Sequence, residues 1–539
     1  MNPSTPQPVA VTVLTHDTEP GRTARPGPSG WHAGDVLVAT APDGDGLAVT
    51  VQADGPVARV ALRFERRLPE RALVTGDAWE RAYGDLHWGP QRPERVLPWY
   101  WAWYDEARGH GGGMGVRLRP GAFCAWTVDG TGATLWLDLH NGGEPVLLGG
   151  RALAAATVVT TSTDGTPYDV VADLCTAVAG DLRPRDVGPV VGANNWYHAY
   201  GEGFDPDAVV RDADTIADLS PDDVRPFSVV DAGWARGGAA HGGPWTTGIP
   251  GLFDDMGGLA TRVTEAGCRP GLWLRPAALS LPYPGLVERP GPRPSAAHRP
   301  LDLTVEENLV AVETAIATIT GPWGYRLIKH DFTFFDLLGR HGKQLDGVVL
   351  TEPGWHHADR SVTNAEILRS LYDRIRAAAG DAVVLGCGTP GHLAAGAVDV
   401  QRTGCDTSGV AWERSRRMGV NALAFRQPQD RRFFVCDPDC VPSTPATPWE
   451  KNRQLLDAVA RAGAALFVSI DPGTRTSAVD ADIRLAVERS LAVQRDLATA
   501  ARAQDTLHTS SPRTWRDRSG ATTSYDWLEP IGAWPLPVR

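Results

Sequence analysis

The chain predicts an α/β fold: a (β/α)8 TIM barrel preceded by an N-terminal β-sandwich domain and followed by a short C-terminal β extension. Three observations carry this. Residues 1 to about 180 hold short alternating apolar runs, such as "GLAVTVQA", "VARVALRFE" and "ATLWLDLHN", with Gly, Pro and Asp between them. After "DLRPRDVGPVV" the rhythm changes, and strand-like and helical runs alternate over roughly 300 residues. The last 35 residues, 505–539, offer material for one or two strands only. The expected domains are therefore 1–182, 183–504 and 505–539.

Within the first domain the strands are expected to alternate buried and exposed side chains, and "GHGGGMG" at 109–115 reads as a flexible loop. In the barrel, strands are expected at 189–195, 226–231, 270–275, 326–331, 382–388, 398–402, 431–436 and 465–470. Helical patterns separate them at 206–219, 254–267, 304–319, 363–378, 411–424 and 449–463, and a last helix at 480–503 closes the barrel. The gap between the fifth and sixth strands is too short for a full helix. Two long loops, 276–303 and 336–362, follow the third and fourth strands, on the face where barrels build active sites.

Composition narrows the function. With 42% hydrophobic and 22% charged residues the chain can bury enough surface to fold. A net charge of -12 argues against nucleic acid or an anionic membrane as partner. The N-terminal "MNPSTPQPVAVTVLTHD" has no secretory pattern, and no apolar run nears the roughly 18 residues of a membrane span. Seven scattered cysteines fit reduced thiols, so a cytoplasmic protein is expected. Cys436 and Cys440 lack the second pair that a zinc site needs. "GCGTPG" at 386–391 spells a glycine-rich pattern, but no full helix follows it as a dinucleotide site requires. His356 and His357, being adjacent, read as part of a surface loop rather than as metal ligands.

Polar residues gather at the expected strand ends. They are Trp196 after the first, Asp231 and Trp234 after the second, Trp273 and Arg275 at the third, and Lys329 and Asp331 at the fourth. Cys387 and Gly388 end the fifth, Arg402 and Asp406 follow the sixth, and Asp471 follows the last. Carboxylates, cations and tryptophans at one barrel mouth suit a polyhydroxylated ligand. Glycoside cleavage needs one carboxylate at the anomeric carbon and a second carboxyl to protonate the leaving oxygen. Asp331 is expected to be the ionised one, and Asp406, on a glycine-containing loop, the acid. Lys329, one of only three lysines, lies two residues before Asp331 and so shares its face of the strand. It is expected to hold a sugar hydroxyl and keep Asp331 charged, as a compact point charge that a wide guanidinium would not replace.

These residues carry a resemblance. "GLWLRP", "IKHDF", "GCG" and "QRTGCD", in this order along the chain, resemble the α-galactosidase clan of retaining glycoside hydrolases, closest to family 36 with echoes of family 27. The resemblance covers roughly residues 190–475, and more loosely the β region before them. It implies Asp331 as nucleophile, Asp406 as acid/base, and Asp231, Lys329, Arg402, Cys387 and Gly388 as sugar contacts; Trp196, Trp234 and Trp273, by their places at strand ends, are expected to bind the substrate beside them. The implied substrate is a small-molecule or oligosaccharide α-glycoside, with no metal or organic cofactor; a homo-oligomer is left open. The chain also departs from the clan. Its paired aspartates, which grip the sugar's 4- and 6-hydroxyls, are here Asp231 and Ala232, and its glutamate after Gly-Leu-Trp-x is Arg275. The resemblance therefore leaves the sugar open, an acidic or altered one included. The C-terminus is also shorter than the family's full β domain. A transglycosidase of the raffinose-synthase kind on the same site and a non-catalytic carbohydrate-binding protein are the alternatives.

Overall fold

A computed structural model describes residues 6–534 except 242, 280–298 and 346. Most of the proline-rich loop after the third barrel strand thus lies outside the described residues.

Alternation dictates the N-terminal region. Val36 and Val38 in the strand Val36–Asp43, and Leu47, Val49 and Val51 in Gly46–Gln52, are buried at alternate positions, and two antiparallel sheets of six and eight strands form around such apolar sets. One difference from expectation is instructive. The "GHGGGMG" run is not a loop: His110–Val116 is a strand inside the eight-stranded sheet, paired with Tyr100–Asp105 and Ala152–Asp164. Its glycines leave room for a helix, Pro167–Ala179, that lies directly on the sheet. A Cβ at Gly111, Gly113 or Gly115 would come within 2.9, 2.7 and 2.6 Å of Val170, Leu174 and Val178. Thr166 caps that helix, and Asp169 completes a capping box.

The barrel follows. Its strands are β1 (Val191–Asn194), β2 (Phe227–Val230), β3 (Arg269–Leu274), β4 (Leu327–His330), β5 (Val383–Gly386), β6 (Val400–Arg402), β7 (Val435–Asp437), β8 (Val441–Ser443) and β9 (Leu466–Ile470). Neighbours pair in parallel in the order β7-β6-β5-β4-β3-β2-β1-β9-β8. Seven of the eight expected strands stand where expected; of the seventh, expected at 431–436, only the end from Val435 is strand. The seventh is broken in two at Asp439, whose φ of 86° turns the chain, so that β7 serves β6 while β8 serves β9. Ala465 N–H on the Cys436 carbonyl at 2.9 Å closes the ring. The connecting helices also stand close to expectation: Pro206–Asp218, Met256–Glu265, Glu306–Thr320, Asn364–Ala379 and Trp449–Ala462, with Ser477–Arg495 last. Between β5 and β6 only the short helix Gly391–Ala394 fits, and the helix after β6 contains a π-turn at Arg416–Val420. A three-stranded antiparallel sheet, from Arg502–Ala503, Thr514–Arg516 and Thr522–Ser524, ends the described chain.

Burial forces charges to pair. Arg275, 1% exposed, does not reach the cleft as a free cation. Its Nε and Nη2 donate to both oxygens of Asp336 at 2.6–3.2 Å, and its guanidinium lies 4.2 Å from the centre of the Phe332 ring. The charge reversal seen in the sequence is met inside the protein. His357 also departs from expectation: it is buried, with Nδ1 3.1 Å from Asp302, and so ties the loop after β4 to residue 302. All seven cysteines are free and buried, and among the described residues no helix is long and apolar enough to cross a membrane.

Removing one partner of a buried pair strands the other charge. Asp336→Ala is expected to lower unfolding free energy by about 3–5 kcal/mol, read as a shifted urea midpoint at unchanged slope.

Candidate active site

The C-terminal ends of the barrel strands carry nearly every residue singled out in the sequence. Asp231 follows β2. Its Oδ2 accepts from Lys329 Nζ and from Asn194 Nδ2, both at 2.6 Å, and its Oδ1 from the Ala232 amide at 2.8 Å. This corrects the expectation for Lys329: its ammonium is matched to Asp231, two strands away at the end of β2, not to Asp331. Burial is the largest influence and opposes its charge, but Asp231, with Cys387 and Cys440 adding to it, outweighs burial and the lysine pKa is raised.

Asp331 stands one residue past β4, with 8% of its surface exposed. Its Oδ1 accepts the Phe332 amide at 2.7 Å, and its Oδ2 lies 3.4 Å from Trp273 Nε1 on β3. Phe332 has a φ of 63°, a conformation that costs a non-glycine residue energy, and the chain turns there so that Asp331 faces the mouth. Gly388, after β5, lies against this carboxylate. Its φ is 62°, and a Cβ there would come within 2.7 Å of Asp331 Oδ1. Cys387 is buried, which pushes its thiol pKa well up and keeps it neutral.

Asp406 lies on the loop after β6, and 37% of its side chain is exposed. Arg402 Nη2 reaches its Oδ1 at 3.1 Å and Arg81 Nη1 at 3.3 Å. The same two guanidinium groups approach the Cys387 sulfur at 3.7 and 3.9 Å. Asp331 and Asp406 are thus linked around one mouth: Asp331 touches Gly388, and its neighbour Cys387 shares both arginines with Asp406. Burial would raise the Asp406 pKa. Arg81, then Arg402, Arg414 and Lys329, outweigh it and hold the carboxyl at about 2.

The tryptophans divide. Trp196 is half-buried, with its ring edge-on to Tyr200 at 5.6 Å. Trp234 is fully buried: its indole N–H donates to the Trp273 carbonyl at 2.8 Å, and Trp245 and Trp323 pack around it. Trp273 is buried beside Trp245 and offers the mouth its N–H rather than its face. Ala232 is buried. Asp471 turns away to cap the short helix Pro472–Thr474. Among the described residues no group of three His, Cys, Asp or Glu is placed to hold a metal ion.

No family model matches the sequence. Solved structures do match it along most of its length. The α-galactosidase of Thermus thermophilus, solved with p-nitrophenyl α-D-galactopyranoside, aligns over 90% of this chain and 99% of its own, at a TM-score of 0.60 and 18% identity. The galactosidase domain of the α-galactosidase–sucrose kinase AgaSK aligns over 96% of this chain and 80% of its own, at 0.61 and 14%. The fold is that of the family 36 α-galactosidases. The family 36 α-galactosidase AgaB of Geobacillus stearothermophilus shares it over 85% of this chain and 67% of its own, at a TM-score of 0.57 and 14% identity.

On this family 36 fold, two parts of the mouth escape sequence reasoning. The segment Trp79–Tyr83 comes from the N-terminal region and brings Glu80, Arg81 and Tyr83. Asp439, at the break between β7 and β8, binds Arg402 at 2.9 Å, the Thr407 amide at 2.8 Å and the Tyr197 hydroxyl. The density of charge in "DAWERAYGD" was the only signal of the first, and "DPDC" of the second.

Gly388→Ala places a methyl where the Asp331 carboxylate lies and forces a positive φ on alanine. The expected result is a loss of about 1–3 kcal/mol of stability by thermal or urea unfolding, with Asp331 displaced in a crystal structure of the variant.

Proposed function

We propose that the chain is a retaining α-glycoside hydrolase of the α-galactosidase type. The observation that carries this reading is the pair of carboxylates, Asp331 and Asp406, joined around one barrel mouth through Gly388, Cys387 and Arg402. Structural relatives solved with p-nitrophenyl α-D-galactopyranoside and with stachyose support α-galactosides as the substrate class. Asp331 attacks the anomeric carbon, and the bond to the leaving oxygen breaks as Asp406 protonates it. Water, deprotonated by Asp406, then displaces Asp331 and releases the sugar with retained configuration.

The charges fit these roles in sequence. Asp331 takes two N–H donors, from the Phe332 amide and the Trp273 indole, which hold its carboxylate in place as nucleophile. With its pKa held at about 2, Asp406 is ionised, the form needed for the second half-reaction. A glycoside that shields Asp406 from Arg81 and from water raises its pKa and lets it carry the proton needed for the first. Lys329 and Asp231, locked together by burial, form a rigid polar floor for sugar hydroxyls.

A panel of nitrophenyl α-glycosides, including the α-galactoside, α-N-acetylgalactosaminide and α-glucoside, tests the reading. Turnover is expected on at least one, with proton NMR showing the α-anomer released first. Asp331→Asn is expected to abolish it, and Asp406→Ala to cost about 10²–10⁴-fold on substrates with poor leaving groups. Unaltered turnover in Asp331→Asn sinks the two-carboxylate scheme. Products lengthened by excess acceptor sugar identify a transglycosidase instead.

A further inference from the structure

We propose that Arg81, carried into the barrel mouth by the N-terminal region, is a positioning residue for Asp406: it aims the carboxylate and sets the charge state in which that group awaits substrate. This rests on the reading of Asp406 as the acid/base.

The segment holding Arg81 is anchored at both ends. Asp77 is buried and binds Arg426 Nε and Gln429 Nε2 at 2.7 Å and His392 Nε2 at 3.1 Å. Trp79 donates its indole N–H to the Gly347 carbonyl at 3.1 Å. Beyond Arg81, the Ala82 amide donates to the Thr403 carbonyl at 2.9 Å, and the Cys405 amide to the Ala82 carbonyl at 2.8 Å. The segment therefore adds itself, strand-like, to the loop that carries Asp406. Arg81 is aimed from this segment: Nη1 faces Asp406, and Nη2 lies 3.4 Å from the Tyr83 hydroxyl. That hydroxyl donates to Glu80, which also accepts the Gly342 amide at 3.3 Å.

Two arginines touch Asp406, and they are not equivalent. Arg402 is committed to Asp439 as well, so its withdrawal would strand a second buried carboxylate. Arg81 has no other carboxylate at bonding distance among the described residues, and is the cation that can yield when a leaving group's oxygen arrives. Several charged or titratable groups face Asp406 besides these. Lys329 comes from β4, His341 from the loop after β4, Tyr197 from the turn after β1, Arg414 from the helix after β6, and Cys405 from the same loop. Against burial, Arg81 stands first among the cations that keep the carboxyl low.

Removing the cation should raise the Asp406 pKa. The test uses Arg81→Met and Arg81→Lys in the full chain, with aspartate carboxyl carbons labelled with carbon-13. The Asp406 signal is assigned by its absence in Asp406→Asn. Arg81→Met is expected to raise its titration midpoint by about 1–3 pH units, while Arg81→Lys restores most of the wild-type value. In kinetics, the alkaline limb of kcat/KM on alkyl glycosides should move upward in Arg81→Met, with little change on nitrophenyl glycosides, whose departure needs no proton. Should Arg81→Met fail to fold, Arg81→Gln carries the same readings. An unmoved midpoint overturns the proposal whether or not the chain hydrolyses glycosides. A raised midpoint in a chain without glycosidase turnover upholds the coupling and overturns the hydrolase reading.

Discussion

Arg402 is a cation with 2% of its surface exposed, and the mouth of the barrel is arranged so that its charge is met. An unpaired ion at that depth would cost several kcal/mol. Asp439 supplies one carboxylate and Asp406 a second, while the sulfur of Cys387 lies along the guanidinium edge. To bring Asp439 inward the seventh strand breaks and turns through a left-handed residue, and β7 and β8 divide its pairing between them. The geometry of the barrel's last third thus follows from one buried charge.

The same rule operates opposite. Lys329 is neutralised by Asp231, and Asp231 is further held by Asn194 and by the backbone of residue 232. Arg275 is neutralised by Asp336 and stacks on Phe332, the strained residue that turns Asp331 toward the mouth. Each cation fixes one wall. The result is a pocket lining whose side chains have little freedom before any ligand arrives, which is the condition for preorganised electrostatic catalysis.

Much of this was legible in the sequence, for reasons of period and spacing. Strands such as "FSVV" and "VVLG" are short apolar runs between turn signals, which a parallel sheet buried on both faces demands. Lys329 and Asp331 announce a strand end, and a barrel brings all such ends to one face. What misled was local. The glycine run at 109–115 carries the composition of a loop, yet it is a strand thinned to admit a helix, because Val170, Leu174 and Val178 need the space that side chains would occupy. Trp234, expected in the sugar subsite, packs within a cluster of four tryptophans, which its position after β2 does not reveal.

The sequence by itself determined the β region, the order of barrel strands and helices, and most of the polar residues at their ends, Asp439 excepted, since these follow from periodicities that act within a few residues. Only the tertiary structure decided which charges pair: Lys329 with Asp231 rather than Asp331, Arg275 with Asp336, and Arg81 with Asp406 from a different part of the chain. Pairing depends on distance and burial in three dimensions, and in a low-dielectric interior the nearest opposite charge wins, however far away it lies along the chain.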